Sequence, residues 1–195
     1  NVGTYSVAAT ELSGSKKDNY SLTTITKGSF EITKADIKDS DFSVTGIDKT
    51  YDGNNYKVTF TPSTATSITD MTIKYYSDET HSTDITEEVN KGYTDCVDKT
   101  VYYVVSAPNY DDKSGSVAAK IAKKNVSVTW ASGEEYEYDG SDKLATYLGK
   151  VTVEGIIEAD KSGNCKVEFA LSGATEAKNV GTYSVAATEL SGSKK

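Results

Sequence analysis

The stretch NVGTYSVAATELSGSKK at residues 1–17 returns letter for letter at residues 179–195. A self-match of this length decides the organisation before any single residue is read, because a repeated sequence unit folds as a repeated structural unit. The offset fixes a period of 178 residues, so the chain holds one full period and the start of the next.

A second, diverged period lies inside the first. Tyr51-Asp52-Gly53 in KTYDGNNYKVTF is echoed 87 positions later by Tyr138-Asp139-Gly140 in YEYDGSDKLATY, and 91 more residues complete the period. Each triplet is followed at nearly equal distance by an Asn-Tyr pair: Asn109-Tyr110 after the first, and the copy of Asn19-Tyr20 expected one period on after the second. Between them, KTVYYVVSAPNY at 99–110 matches NVGTYSVAATELSGSKKDNY at 1–20 in order and position. Two diverged modules of about 90 residues follow, near the lower end of ordinary domain size, where an isolated core is small and neighbours matter.

Lys and Arg total 21 against 29 Asp and Glu, a net charge of −8, and every basic residue is Lys. An acidic surface without the planar guanidinium fork argues against nucleic acid or an anionic membrane as partner. No run approaches the roughly 20 apolar residues that cross a bilayer, so no membrane insertion is expected in this segment. A palette rich in Ser, Thr, Tyr, Val, Asp and Gly is that of exposed sheet with many turns, and it reads as extracellular. Cys96 and Cys165 sit at unmatched places in the two modules, which disfavours a disulfide scaffold and predicts two largely buried free thiols.

Alternation of apolar and polar residues predicts strands over 56–60, 71–75, 100–105, 116–121, 126–130, 150–153, 166–169 and 182–186. Asp52-Gly53, Asp139-Gly140, Ser162-Gly163-Asn164, Ser172-Gly173 and Ser191-Gly192 punctuate them as turns. Helix is confined to 84–91, with Thr83 as cap, a loop being the alternative there. The expected fold is all-β: two tandem Ig-like antiparallel β-sandwich modules, with β-grasp-like modules as the alternative. The boundaries read as 1–33, the closing part of a preceding second-type module; 34–122, the first module; and 123–195, a second module without its last strand. Joints at Lys34 and Lys123-Lys124 carry no flexible linker, which implies a stiff array.

The rhythm of Tyr138 to Gly140, Lys178 to Thr182, Leu12-Ser13-Gly14, Asn19 to Leu22 and the joint Ile32 to Ala35 resembles the YDG/MBG-type repeats of large bacterial surface adhesins. It covers the second module nearly end to end. The first keeps Tyr51 to Gly53, Asn109-Tyr110 and Ile121-Ala122-Lys123, but has Asp98-Lys99-Thr100-Val101 where the Gly-Thr-Tyr belongs. The resemblance implies a non-enzymatic stalk or adhesion repeat on a bacterial cell surface, with structural rather than catalytic motifs. Physically, Tyr51, Asp52, Gly53, Asn109, Tyr110, Tyr138, Asp139, Gly140, Asn19 and Tyr20 read as folding signatures: a turn with positive φ, a large ring beside it, and an Asn bonded to nearby backbone.

Catalytic chemistry finds little purchase. His81, the sole histidine, lies in the hydrophilic run SDETHSTD without evident triad or zinc partners, and scattered acid pairs do not define a glycosidase. No enzyme is expected. Calcium is the one cofactor considered, with Asp36, Asp39, Asp41, Asp111 and Asp112 as candidates; without EF-hand or nonapeptide spacing they read first as solvated acids. The chain has no Gln, which excludes Cys-Gln thioester and Thr-Gln ester crosslinks. Fourteen tyrosines leave open a host glycan or protein as partner. Self-association is the other partner: an open second module is a template for strand addition, with 18–32 of one chain completing the next head to tail.

Overall fold

The computed structural model describes residues 1–23 and 26–193. Residues 24–25, inside the closing segment 1–33, and 194–195, at the end of the second copy of the 17-residue stretch, lie outside them. The fold is all-β, carried by short strands in several small sheets. It packs as two compact units, one of residues 1–45, 58–90 and 100–117 and the other of 46–57, 91–99 and 118–195. These units are a division by packing, whereas the modules are a division by sequence.

In the first unit, β1 (Gly3–Val7) and β2 (Gly28–Ile32) form an antiparallel ribbon, Gly3 opposite Ile32 and Val7 opposite Gly28. The two-residue strand β3 (Ala35–Asp36) runs parallel to β9 (Tyr110–Asp111), and β4 (Phe42–Thr45) is antiparallel to β6 (Thr59–Pro62). β7 (Thr72–Tyr76) pairs with β8 (Val97–Ser106), Thr72 opposite Ser106. Ile37, Phe42 and Val105 form a buried cluster against which Phe60, Ile68, Met71, Ile73 and Tyr103 pack. Phe42 meets Phe60 tilted at 5.9 Å and Tyr103 edge-on at 6.2 Å, the geometry that aligns ring edges with ring faces.

In the second unit, β5 (Ile47–Thr50) runs parallel to β10 (Lys113–Ala122) from Ala119 opposite Ile47 to Ala122 opposite Thr50. β11 (Ser127–Thr129) pairs with β12 (Thr152–Glu154), and β13 (Lys166–Leu171) with β14 (Val185–Ser191), both antiparallel. The two parallel pairings depart from the purely antiparallel expectation, because β3 and β5 are reached from distant segments rather than through hairpins.

Turns fall where the sequence placed them: Gly53, Gly140, Gly163, Gly173 and Gly192 all have positive φ. Helix α1 (Thr86–Lys91) forms, and Asp84 rather than Thr83 serves its start by accepting the Thr86 N–H at 2.8 Å. A second helix, α2 (Leu144–Leu148), corrects the expectation of helix at 84–91 alone. Asp142 Oδ1 accepts the Leu144 N–H at 3.1 Å and the Ala177 N–H at 2.8 Å, so one carboxylate starts the helix and ties it to a distant loop. The predicted strand at 56–60 begins three residues late, Tyr56 making only an isolated bridge to Tyr93. The cysteines are free, and Cys96 is exposed where burial was expected; Cys165 is buried.

The two copies of the 17-residue stretch adopt different structures. In the first, Gly3–Val7 is strand and residues 8–13 are irregular; in the second, 181–184 are irregular and Val185–Ser191 is strand. Their local loop is nevertheless shared, since the Tyr5 hydroxyl donates to the Asn1 carbonyl at 2.7 Å and the Tyr183 hydroxyl to the Asn179 carbonyl at 2.8 Å.

The two phenylalanines at opposite extremes of burial give a direct test of where the core lies. Phe42→Ala is expected to destabilise the chain by about 3–5 kcal/mol in urea unfolding, whereas Phe30→Ala on the exposed ribbon is expected to cost less than about 1 kcal/mol.

Candidate functional site

Both Tyr-Asp-Gly turns are built by one device. Asp52 Oδ1 accepts the Asn54 N–H at 2.9 Å, and Asp139 Oδ1 accepts the Ser141 N–H at 2.9 Å, so each carboxylate closes a turn over its own glycine. Gly53 and Gly140 stand at φ +82° and +76°, where a Cβ is strained. Asp52 gains the Tyr56 hydroxyl at 2.7 Å and the Asn54 amide at 3.0 Å, whereas Asp139 gains the Ser141 hydroxyl at 2.6 Å and the Lys143 ammonium. Both carboxyls are thereby held below the usual range, Asp52 chiefly by the Tyr56 hydroxyl and Asp139 chiefly by Lys143.

The tyrosines of the two triplets differ. The Tyr51 hydroxyl donates to Asp160 Oδ2 at 2.6 Å, and Asp160 is buried. That bond first, and burial second, push the Tyr51 phenol up to about 12. A Cβ on Gly53 would stand 2.7 Å from the Ile157 side chain, so the first triplet is seated on the turn at 157–160, which belongs by sequence to the following module. Tyr138 is 67% exposed, and open space surrounds Gly140.

Of the Asn-Tyr pairs, Asn109 takes φ +68°, accepts the Val2 N–H at 3.1 Å on its side chain and the Ala35 N–H at 3.2 Å on its carbonyl, while Tyr110 packs against the first unit's core. Asn19 ends a 3-10 turn and Tyr20 follows it, both exposed; the structure does not bring them to the other signature residues.

Asp36, Asp39, Asp111 and Asp112 line one shallow hollow together with Lys38 and Lys113. Lysines already meet the acids there, Lys113 with Asp39 at 3.0 Å and Lys34 with Asp111 at 3.7 Å. Asp41 is turned to its own loop, accepting the Lys38 N–H at 2.8 Å and the Thr66 hydroxyl at 2.9 Å, which holds its carboxyl below the usual range. Among the described residues no three His, Cys, Asp or Glu side chains converge as a metal site. His81 sits in a left-handed turn with its ring 5.1 Å from that of Tyr76. A hollow of about 340 Å³ collects Tyr51, Asp160, both cysteines and Lys123-Lys124.

A groove of about 710 Å³ lies in the second module. One wall is the segment 133–138, where Lys150 binds the Glu134 carboxylate and lies 5.4 Å over the Tyr136 ring. The Glu134 carboxylate raises the Lys150 ammonium above its ordinary range. The other wall is 177–185, stiffened by the Tyr183 hydroxyl, which also receives the Asn179 N–H at 3.1 Å. Leu144 and Tyr147 of α2, with Leu171 and Val185, supply apolar lining, and the Tyr147 hydroxyl donates to the Ala131 carbonyl at 3.0 Å. Sequence reading missed this groove because it missed α2. Its signal was present: Asp142 as a cap, Leu144, Tyr147 and Leu148 at helical spacing, and Gly149 after them.

Comparison with known proteins finds no matching family model, no similar curated protein and no similar solved structure.

The two triplet tyrosines separate in their response to loss of the hydroxyl. Tyr51→Phe strips a donor from a buried carboxylate and is expected to cost about 1–3 kcal/mol, whereas Tyr138→Phe is expected to stay within about 0.5 kcal/mol, both measured by thermal or urea unfolding. The Tyr51 phenol is raised in the fold, so its contribution is complete below pH 10 and is lost as pH rises through about 12. The stability gap between wild type and Tyr51→Phe is therefore expected to close across that alkaline window.

Proposed function

We propose that this chain is a structural stalk or adhesion repeat of a bacterial extracellular surface protein or fibre, built from tandem Ig-like sandwich modules. The observation that carries the reading is the seating of one module's Tyr-Asp-Gly turn on the next module, Tyr51 on Asp160 and Gly53 against Ile157, within an exact tandem repeat. A joint made of turn-to-turn contact with no Gly/Ser/Pro linker suits a part that sets distance and transmits tension. The acidic, Lys-only composition and the likeness to surface-adhesin repeats support the same assignment and an extracellular location.

A second reading has its own support. The groove carries Tyr136, Tyr138, Tyr147 and Tyr183 beside Glu134, Glu135 and Glu137, and aromatic faces with polar edges suit the recognition of a host glycan or protein.

The two readings diverge in a scattering experiment and an array screen. A stalk predicts that extending the chain from one 178-residue period to two nearly doubles its maximum dimension in small-angle X-ray scattering; a two-period chain that folds back to an unchanged dimension rejects the stalk. Saturable glycan or host-protein binding abolished by Tyr136→Ala would establish the second reading.

A further inference from the structure

We propose that Cys96 and Cys165 are a thiol pair, which a low-molecular-weight disulfide oxidises to an intrachain bridge across the hollow that both line. Within the second unit the bridge fastens the stretch 91–99 to the stretch 118–195, beside the bond between Tyr51 and Asp160.

The two cysteines lie 69 positions apart and at unmatched places in the repeat, so no spacing in the sequence pairs them. Folding brings them to one place. Both line the hollow of about 340 Å³ together with Tyr51 and Asp160, and all four residues belong to the second unit. A short relay of contacts joins their surroundings. The Cys165 N–H donates to the Asp160 carbonyl at 2.8 Å, and the Asp160 carboxylate receives the Tyr51 hydroxyl at 2.6 Å. The Tyr51 phenol, raised chiefly by that bond, also feels the charge of the Cys96 thiolate, which sets this sulfur within electrostatic reach of the same hydroxyl. Every group in the relay lies between residues 51 and 165.

Position suits each sulfur to a separate step. Cys96 is exposed and Cys165 is buried, so a reagent in solution meets Cys96 first. The Cys96 thiolate attacks one sulfur of RS–SR, forming a mixed disulfide and releasing RS⁻. Cys165 gives up its proton and attacks the Cys96 sulfur, and the second RS⁻ departs. The two cysteines lose two protons and two electrons, and one RS–SR becomes two RSH. Cys96 is the residue just before β8 and Cys165 the residue just before β13. Each is therefore preceded by loop or turn backbone rather than by a ladder, which lets the Cα atoms settle at the roughly 4–7 Å separation of a disulfide.

The bridge closes a circuit that hydrogen bonds already trace. Stretch 91–99 is held to 46–57 by the backbone pair Tyr56 and Tyr93, at 2.9 and 2.8 Å, and by the Asn55 amide on Thr94 Oγ1 at 3.2 Å. Stretch 46–57 is held in turn to Asp160 through Tyr51. Such bonds open by local fluctuation. A covalent link between residues 96 and 165 removes that freedom and constrains the unfolded chain across the 69-residue span. The seat of the Tyr-Asp-Gly turn at 51–53 is thereby fastened by oxidation and loosened by reduction, in a stalk or in a binding module alike.

The test uses the full chain, with oxidised glutathione as the disulfide. The folded, reduced chain is expected to lose both free thiols and the mass of two hydrogens, to stay monomeric, and to yield on digestion one peptide pair joined through Cys96 and Cys165. Closure is expected to be at least about tenfold faster in the folded chain than in concentrated urea. It is expected to raise the melting temperature by about 5–15 °C, a shift that dithiothreitol reverses. Cys165→Ser is expected to stop at the glutathione adduct on Cys96, and Cys96→Ser to leave the buried thiol unmodified while the chain is folded. A wild-type chain that keeps both thiols, retains the glutathione adduct, forms only chain-to-chain disulfides or closes no faster folded than unfolded overturns the proposal, since each outcome places the two sulfurs out of mutual reach. A bridge that forms without moving the melting temperature overturns the fastening. None of these results bears on the stalk reading, which the two-period scattering experiment decides.

Discussion

A strand exists only where another segment supplies its second row of hydrogen bonds, and this chain displays that constraint on two copies of one sequence. Seventeen identical residues become strand at their front where Gly28–Ile32 lies beside them, and strand at their back where Lys166–Leu171 does. Intrinsic preference is the same in both copies, so the partner alone makes the difference. The short two-strand sheets of the second unit, the open groove and the exposed ribbon are consequences of which partners are within reach.

Local chemistry works alongside that non-local rule, and at a different scale. Each Asp-Gly turn is written in three residues and closes identically in both modules, since a carboxylate two residues from an N–H and a glycine free to take positive φ need no outside help. What surrounds the turn is not local. Tyr51 finds a buried carboxylate 109 residues away and Tyr138 does not, so one motif is anchored on a distant turn in one setting and is a solvent-facing loop in the other. The triplet is therefore a rigid turn whose ring is held or left free by what the distant chain brings to it.

This division of labour explains what the sequence made legible. The all-β class, every Gly turn singled out and the short helix near residues 86–91 could be read, because each rests on alternation or a local backbone demand. The strand at 182–186 was misplaced toward 185–191, because the alternation in GTYSVAATELS suits either half and only pairing chooses. Helix α2 was passed over because five residues give too short a period to stand out in a Tyr- and Ser-rich run. Cys96 was expected inside on residue type, yet it lies in the loop before β8, exposed to solvent. The parallel pairings β5/β10 and β3/β9 join segments about 70 residues apart, and no short-range pattern announces such a contact.

A repeat whose edges are complementary to its own sequence faces a hazard and an opportunity with one physical origin. An exposed strand edge pairs with whatever fits, and the commonest match in a concentrated array is another copy of the repeat. Charge helps to govern this: Glu134, Glu135 and Glu137 line the groove. An acidic rim disfavours acidic strands that would otherwise pair there.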